Sequence, residues 1–305
     1  MRVLITGIGG FIGSNLAEYL FSLKYEIIGL DKVLNNKIQT KTSEYIVVDL
    51  TNCDENVINS YKVDYIVHCA GLASVDLQNT SRNDDYLATK KLLQISKNSN
   101  IKKLIFLSSN KVGGEDNYSQ SKLKVEPLIK AELSSFNISF TFIRSSIVYG
   151  PGMGSNVYKW LRFIKLGKIP ALPRSESRIL MISVKDLCRC IEKCISNPTT
   201  DNKTYLVSDG IPYSISEIEL TARQAFSRNE KHLVCSRLLL FLASKLGDLL
   251  MNVGIRLPLN LRIYNMLFNN TFYLSNEFEK DNGFKASTDF FRNSLYLLRF
   301  KIIPW

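Results

Sequence analysis

The stretch "VLITGIGGFIG", residues 3–13, decides how the chain folds. A run of branched apolar residues ends at Thr6 and reads as a buried strand. Glycines follow at 7, 10 and 13, and the helix-period segment "FIGSNLAEYLFSL" opens among them. Glycines placed so permit a tight turn, and they let a pyrophosphate approach backbone N–H groups at the positive end of a helix. Gly7, Gly10, Phe11, Ile12 and Gly13 are therefore candidate cofactor-binding residues. Asp31 completes the pattern at the end of the second apolar run, eighteen residues beyond Gly13. A carboxylate there accepts hydrogen bonds from ribose hydroxyls and repels a 2′-phosphate, so the expected dinucleotide is NAD in preference to NADP. The adjacent Lys32 softens that preference.

Outward from this turn, the first half of the chain alternates. "RVLIT", "YEIIGLD", "EYIVVD", "DYIVHCA", "KLIFLSS" and "SFTFIR" read as buried strands, with helix-period segments such as "DDYLATKKLLQISKNS" between them. Such alternation predicts an α/β fold of the Rossmann type, a doubly wound parallel sheet with helices on both faces. A dinucleotide-binding domain is expected over residues 1–150, and a smaller carboxyl-terminal, mainly substrate-binding part over 151–305. In the second part, helices are predicted over 156–166 and 184–196, with a short strand pair near 179–183 and 204–208.

Composition narrows the class. Of 305 residues, 45% are hydrophobic and 22% charged, as in a folded soluble protein. The most apolar run, "LLLFLASKLGDLLMNVGI" (238–255), is interrupted by Lys245 and Asp248 and reads as an amphipathic helix or two, either packing within the smaller part or making a membrane-surface or oligomer contact, with no stable membrane insertion. A strand beginning at residue 2 leaves no room for a signal peptide. The six cysteines (53, 69, 188, 190, 194, 235) form no CxxC pair, so no metal site and reduced thiols in the cytoplasm are expected. The net charge of +11 is spread along the chain, which argues against nucleic acid and for a field that attracts small phosphorylated ligands.

A second stretch bears on chemistry. "SSNKVGGEDNYSQSK", residues 108–122, holds Tyr118 and Lys122 four positions apart, on one face if the segment is helical.

With "TGIGGFIG" (6–13), "VDL" (48–50), "HCAG" (68–71), "YSQSK" (118–122), "VYGPG" (148–152) and "YLVSDGIPYSISEI" (205–218), nearly the whole chain resembles an extended short-chain dehydrogenase/reductase. The resemblance is to the NAD-dependent epimerase/dehydratase family, and within it to nucleotide-sugar 4-epimerases and 4-keto reductases. It implies an NAD-dependent C4 epimerase or oxidoreductase acting on a UDP-linked (N-acetyl)hexosamine for cell-surface polysaccharide synthesis, working as a homodimer. By the same resemblance Tyr118 is the general acid–base, Lys122 lowers its pKa and holds the nicotinamide ribose, and Ser109 binds the reacting oxygen. Asp49 and Leu50 would flank the adenine, and Ala70 and Gly71 would lie under the cofactor. Asn156 and Arg178 would meet the nucleotide diphosphate, while "VSDG" (207–210) shapes a turn behind the base. His68 reads as a structural strand-end residue.

The chain departs from the family pattern in four places. Ser109 and Tyr118 are only nine positions apart, which trims the segment that would roof the sugar. Asp85 stands where the family often has asparagine, in a largely structural role. Pro127 lies one turn past Lys122 and is expected to kink that helix. Arg178 is followed by Ile179, and strand alternation could turn the arginine to the wrong face. A UDP-4-keto-sugar reductase is the alternative enzyme. A catalytically silent NAD-binding sensor or assembly protein is the alternative of another class.

Overall fold

The computed structural model describes residues 1–54, 60–71, 84–97, 100–110, 117–154, 156–227, 234–252, 259–268 and 272–291; for Tyr118 and Asn156 it describes the backbone only. Strand β1 (Arg2–Thr6) feeds α1 (Phe11–Ser22), followed by β2 (Glu26–Asp31), the short α2 (Asn36–Gln39), β3 (Glu44–Val47) and β4 (Tyr65–His68). The alternation continues through α3 (Asp84–Ser96), β5 (Lys103–Ser109), α4 (Asn117–Ser134) and β6 (Ser139–Ser145). Next come β7 (Ile147–Tyr149), α5 (Asn156–Lys165), β8 (Arg178–Ser183), α6 (Val184–Ser196) and β9 (Lys203–Val207). The remaining elements are β10 (Pro212–Ser214), α7 (Ile215–Ala225), α8 (Arg237–Asn252), α9 (Leu261–Phe268) and α10 (Glu277–Asn282).

Among the described residues seven strands form one sheet in the order β3-β2-β1-β4-β5-β6-β9, every neighbour parallel. The order reverses between β1 and β4, the switch point at which a doubly wound sheet opens a crevice at its carboxyl edge. Strand side chains alternate between two cores, as period-two geometry requires. Val3, Ile5, Val67, Ile105 and Ile143 enter one core with Leu16 and Leu20 of α1 and Leu187 and Ile191 of α6. Leu4, Ile66, Leu104, Phe106 and Phe142 enter the other with Leu92 of α3 and Val125 and Ile129 of α4. Both faces are covered, which is why the strands read as unbroken apolar runs.

The expected pairing of 179–183 with 204–208 is not what forms. Strand β9 joins the main sheet beside β6, Thr141 opposite Lys203, while β8 pairs antiparallel with β10 in a small sheet ordered β10-β8-β7. Helix α6 supplies the physical reason. It separates β8 from β9 in sequence, and a helical crossover returns the chain to a parallel neighbour in the large sheet.

The chain divides into two compact units. The first comprises residues 1–148, 182–207 and 275–287, and the second 149–181, 208–274 and 288–305. In the first unit, the buried Asp186 carboxylate accepts from Ser183 Oγ, Arg189 and both the backbone N–H and the hydroxyl of Ser287, tying segment 275–287 to α6. In the second, Ser214 and Glu217 form a capping box at the start of α7. Further along that helix, Glu219 accepts the Leu172 N–H and pairs with Arg223. Among the described residues no helix is long and apolar enough to cross a membrane.

Candidate active site

The glycine turn is built as its spacing requires. Gly7 sits at φ +69, and a Cβ on it would lie 2.7 Å from the backbone of Ala70. On Gly13 a Cβ would lie 2.2 Å from the Gly7 carbonyl oxygen. The turn, the end of β4 and the first turn of α1 thus touch backbone to backbone, a cradle that any side chain would fill. Gly10 is the N-cap residue of α1 and provides no side-chain cap, and no acid occupies the first turn. The unsatisfied N–H groups at Phe11, Ile12 and Gly13 therefore present positive charge to the carboxyl edge of the sheet.

Asp31 ends β2, and its Oδ2 accepts the Gly9 N–H at 2.8 Å, which orients the carboxylate against the turn. Lys32 is drawn elsewhere: its Nζ lies 2.9 Å from Asp49 Oδ2. The other Asp49 oxygen caps the 3₁₀ turn Leu50–Asn52 by accepting from Thr51 N–H and Oγ. Burial acts to raise the Asp49 pKa, but Lys32 and Thr51 outweigh it and hold the carboxyl below its ordinary value. Leu50 is buried in the core against α3.

At the end of β4 the structure confirms His68 as a structural residue and shows what it holds. Thr89 Oγ1 donates to the Asp85 carbonyl, so it accepts the proton of His68 Nε2 at 3.0 Å. That tautomer leaves Nδ1 to accept from Thr6 Oγ1 at 2.6 Å, and Thr6 in turn accepts the Ala70 N–H. Burial, with the charge of Lys122 adding to it, pulls His68 down to about 3, so the ring is neutral. One polar chain thus locks β1, β4, α3 and the Ala70 backbone around the glycine turn. Residues Thr6 and Thr89 carry no motif by themselves; the signal for Thr6 is its place directly before Gly7.

Lys122 is 4% exposed although it is a lysine. Its ammonium lies 4.7 Å over the Phe106 ring and 2.8 Å from where a Cβ on Gly71 would be. The Asp85 carboxylate flanks the same point at 3.5 and 3.7 Å, and Ser121 Oγ donates to it at 3.2 Å. Gly71, at φ +155, is therefore the residue that lets the ammonium reach the end of β4. Ser109 is the last residue of β5, buried at the same carboxyl edge opposite Ser145. The backbone of Tyr118 stands one turn before Lys122 on α4, which runs on through Pro127. Residues 111–116, most of the shortened Ser109–Tyr118 connection, lie outside the described residues.

A further support for α4 was not singled out in the sequence. Glu126, buried one turn past Lys122, accepts from Ser108 Oγ at 2.6 Å and forms a two-point ion pair with Arg144 of β6. It pins the lysine-bearing helix to the strand that carries Ser109. In the second unit, Asn156 opens α5. Arg178 opens β8, exposed, with Nη1 donating to the Pro212 carbonyl at 3.1 Å, while Ile179 turns inward. The "VSDG" segment forms the turn between β9 and β10, where Asp209 accepts the Tyr213 hydroxyl at 2.6 Å.

These residues fit a dinucleotide. The side-chain-free cradle, the uncapped helix start and the anchored carboxylate of Asp31 match a pyrophosphate and an adenosine ribose.

The comparisons with known proteins agree. A family described as NAD dependent epimerase/dehydratase matches residues 3–208. The chain is 28% identical over 240 residues to a UDP-glucose 4-epimerase of Vibrio cholerae, covering 71% of this chain and 73% of that one. It is 30% identical over 241 residues to a GDP-6-deoxy-D-talose 4-dehydrogenase of Aggregatibacter actinomycetemcomitans, covering 72% and 78%. Among solved structures, MoeE5 in complex with UDP-glucose and NAD superposes with a TM-score of 0.74 at 19% identity, covering 99% of this chain and 97% of that one. The UDP-N-acetylglucosamine 4-epimerase from Methanobrevibacter ruminantium M1 superposes at 0.64 with 23% identity, covering 75% and 83%. At those identities the superpositions speak for the fold, and the family match speaks for the cofactor, NAD. The chain belongs to the NAD-dependent epimerase/dehydratase family, the extended short-chain dehydrogenase/reductase enzymes whose homologues include nucleotide-sugar epimerases.

Proposed function

We propose that this protein interconverts the C4 epimers of a UDP-linked (N-acetyl)hexosamine, with NAD retained through the cycle. The observation that carries the reading is the buried Lys122 ammonium at Gly71, one helical turn past Tyr118 and beside the carboxyl ends of β4 and β5. NAD bound at this cradle would supply a reversible hydride acceptor for C4. Tyr118 takes the proton of the C4 hydroxyl and gives it back. A free phenol near pKa 10 is a poor base at neutral pH, and a neighbouring ammonium favours its anion. Lys122 has that role and also donates to the nicotinamide ribose. Ser109 hydrogen-bonds the reacting oxygen.

The Asp31 carboxylate, held by Gly9, accepts from the adenosine ribose, and the N–H groups of Phe11, Ile12 and Gly13, after the Gly7–Gly10 turn, bind the pyrophosphate. Asp49 and Leu50 flank the adenine, and Ala70 and Gly71 lie under the cofactor. Asn156 and Arg178 are assigned to the nucleotide diphosphate.

Purified protein without added cofactor should convert UDP-N-acetylglucosamine to its C4 epimer, resolved by anion exchange. The 30% identity to a sugar-nucleotide 4-dehydrogenase favours a second reading, reduction of a UDP-4-keto sugar. Stoichiometric loss of NADH absorbance near 340 nm with the keto sugar, and no epimerisation, would establish that reading instead. Retained NAD with turnover of neither substrate would establish the silent binding protein.

A further inference from the structure

Helix α8 (Arg237–Asn252) carries a feature that the proposed chemistry does not use. Leu238, Leu239, Leu242, Leu246 and Leu249 are each between 50% and 65% exposed. At 3.6 residues per turn they fall within about 100° of arc, one continuous row on one side of the helix. The opposite side is the packed one. Ser244 and Gly247 are buried there, and a Cβ on Gly247 would lie 2.0 Å from the Leu259 carbonyl oxygen. Asp248 accepts the Leu261 N–H at 3.2 Å, and the Phe241 ring meets Tyr264 of α9 at 5.4 Å. The leucine row therefore does not exist to hold α8 in place. A contiguous apolar row of this kind marks a surface that meets something.

The charge of the sequence segment that contains α8 says what it meets. Lys245 is exposed beside Leu238 and Leu249, its ammonium 4.7 Å over the Phe241 ring. Across residues 228–262 the sequence places Arg228, Lys231, Arg237, Lys245, Arg256 and Arg262 against only Glu230 and Asp248. A second copy is poorly suited to this face. It would bring two cationic segments together, and five partly exposed leucines present a few hundred Å², short of the roughly 800 Å² per partner of a stable interface. An anionic bilayer surface answers both the apolar row and the charge.

We propose that α8 is a peripheral membrane-docking helix. It lies in the plane of an anionic bilayer with its leucine row among the upper acyl chains and its exposed Lys245 at the headgroups. The chain docks reversibly and does not span.

The test is flotation of the full chain with vesicles of phosphatidylcholine containing phosphatidylglycerol, against phosphatidylcholine alone and against high salt. Binding to the anionic vesicles is expected, at least about tenfold weaker on the neutral ones and weakened by salt. The triple variant Leu238→Ser, Leu242→Ser, Leu246→Ser should lose about tenfold or more, with unchanged NAD affinity and melting temperature. The charge reversal Lys245→Glu should weaken binding to anionic vesicles alone. Absence of binding by the parent, or equal binding by the triple variant, would overturn the proposal. So would a fall in the solution mass of the triple variant, which would assign the row to a second copy. A lower melting temperature without vesicle binding by the parent would assign it to packing within the chain.

Discussion

Replacing Gly71 by alanine tests whether the position of the Lys122 ammonium governs turnover. The new Cβ would stand 2.8 Å from Nζ, and ordinary contact begins at 3.4 Å, so the ammonium must retreat by about 0.6 Å. The backbone at φ +155 also disfavours an L side chain, a strain of order 1–3 kcal/mol. A misplacement approaching 1 Å in a catalytic constellation costs up to about 10² in rate, so kcat/KM should fall by roughly ten- to a hundredfold. Because a more distant cation stabilises the phenolate less, the acid limb of the pH profile should move upward. The assay is C4 interconversion of the UDP-sugar across pH, with NAD affinity measured alongside. If kcat/KM stays within twofold of the parent and the limb does not move, the contact between Gly71 and Lys122 has no bearing on catalysis.

Other substitutions probe the remaining parts of the site. Tyr118→Phe should cost about 10²–10⁴ in rate while leaving NAD binding intact, and a rate within twofold of the parent would remove Tyr118 from the chemistry. Asp31→Ala should shift preference toward NADP by removing both the ribose acceptor and the repulsion of a 2′-phosphate. Because Lys32 is paired with Asp49, Asp31→Ala with Asp49→Ala should shift it further, and cofactor titrations in which the parent already prefers NADP would contradict the role of Asp31. His68 is buried neutral with its pKa pulled from 6.5 to about 3, so the unfolded chain binds the extra proton between those values. Stability from its burial is complete above pH 6.5 and is lost as pH falls, by about 2 kcal/mol at pH 5. Urea unfolding of the parent should show that slope and His68→Gln should not; equal slopes would mean the ring is protonated in the fold.

Local features of the fold were legible because local physics sets them. The turn at Gly7–Gly13 needs positive φ and close backbone approach, so glycine spacing announces it. The apolar runs at 2–6, 103–109 and 139–145 form strands because both faces of the sheet are covered. Pairing between distant runs was harder to read. "RILMIS" and "KTYLV" are similar apolar runs, and only the crossover through α6 sends the second to β6. Side-chain partners across long separations were also hidden. Lys32 finds Asp49 seventeen positions on, and Glu126 reads as an ordinary helix-surface acid until Ser108 and Arg144 are folded against it.

The central claim is that Tyr118 and Lys122 serve a hydride removed from C4 of a UDP-sugar and returned to the same carbon. Incubating the protein with UDP-N-acetylglucosamine deuterated at C4, in ordinary water, tests it most directly. The account predicts interconversion with UDP-N-acetylgalactosamine, deuterium retained at C4 in both sugars and no net consumption of cofactor. Interconversion with loss of the label to solvent, or no interconversion by protein holding its NAD, would contradict it.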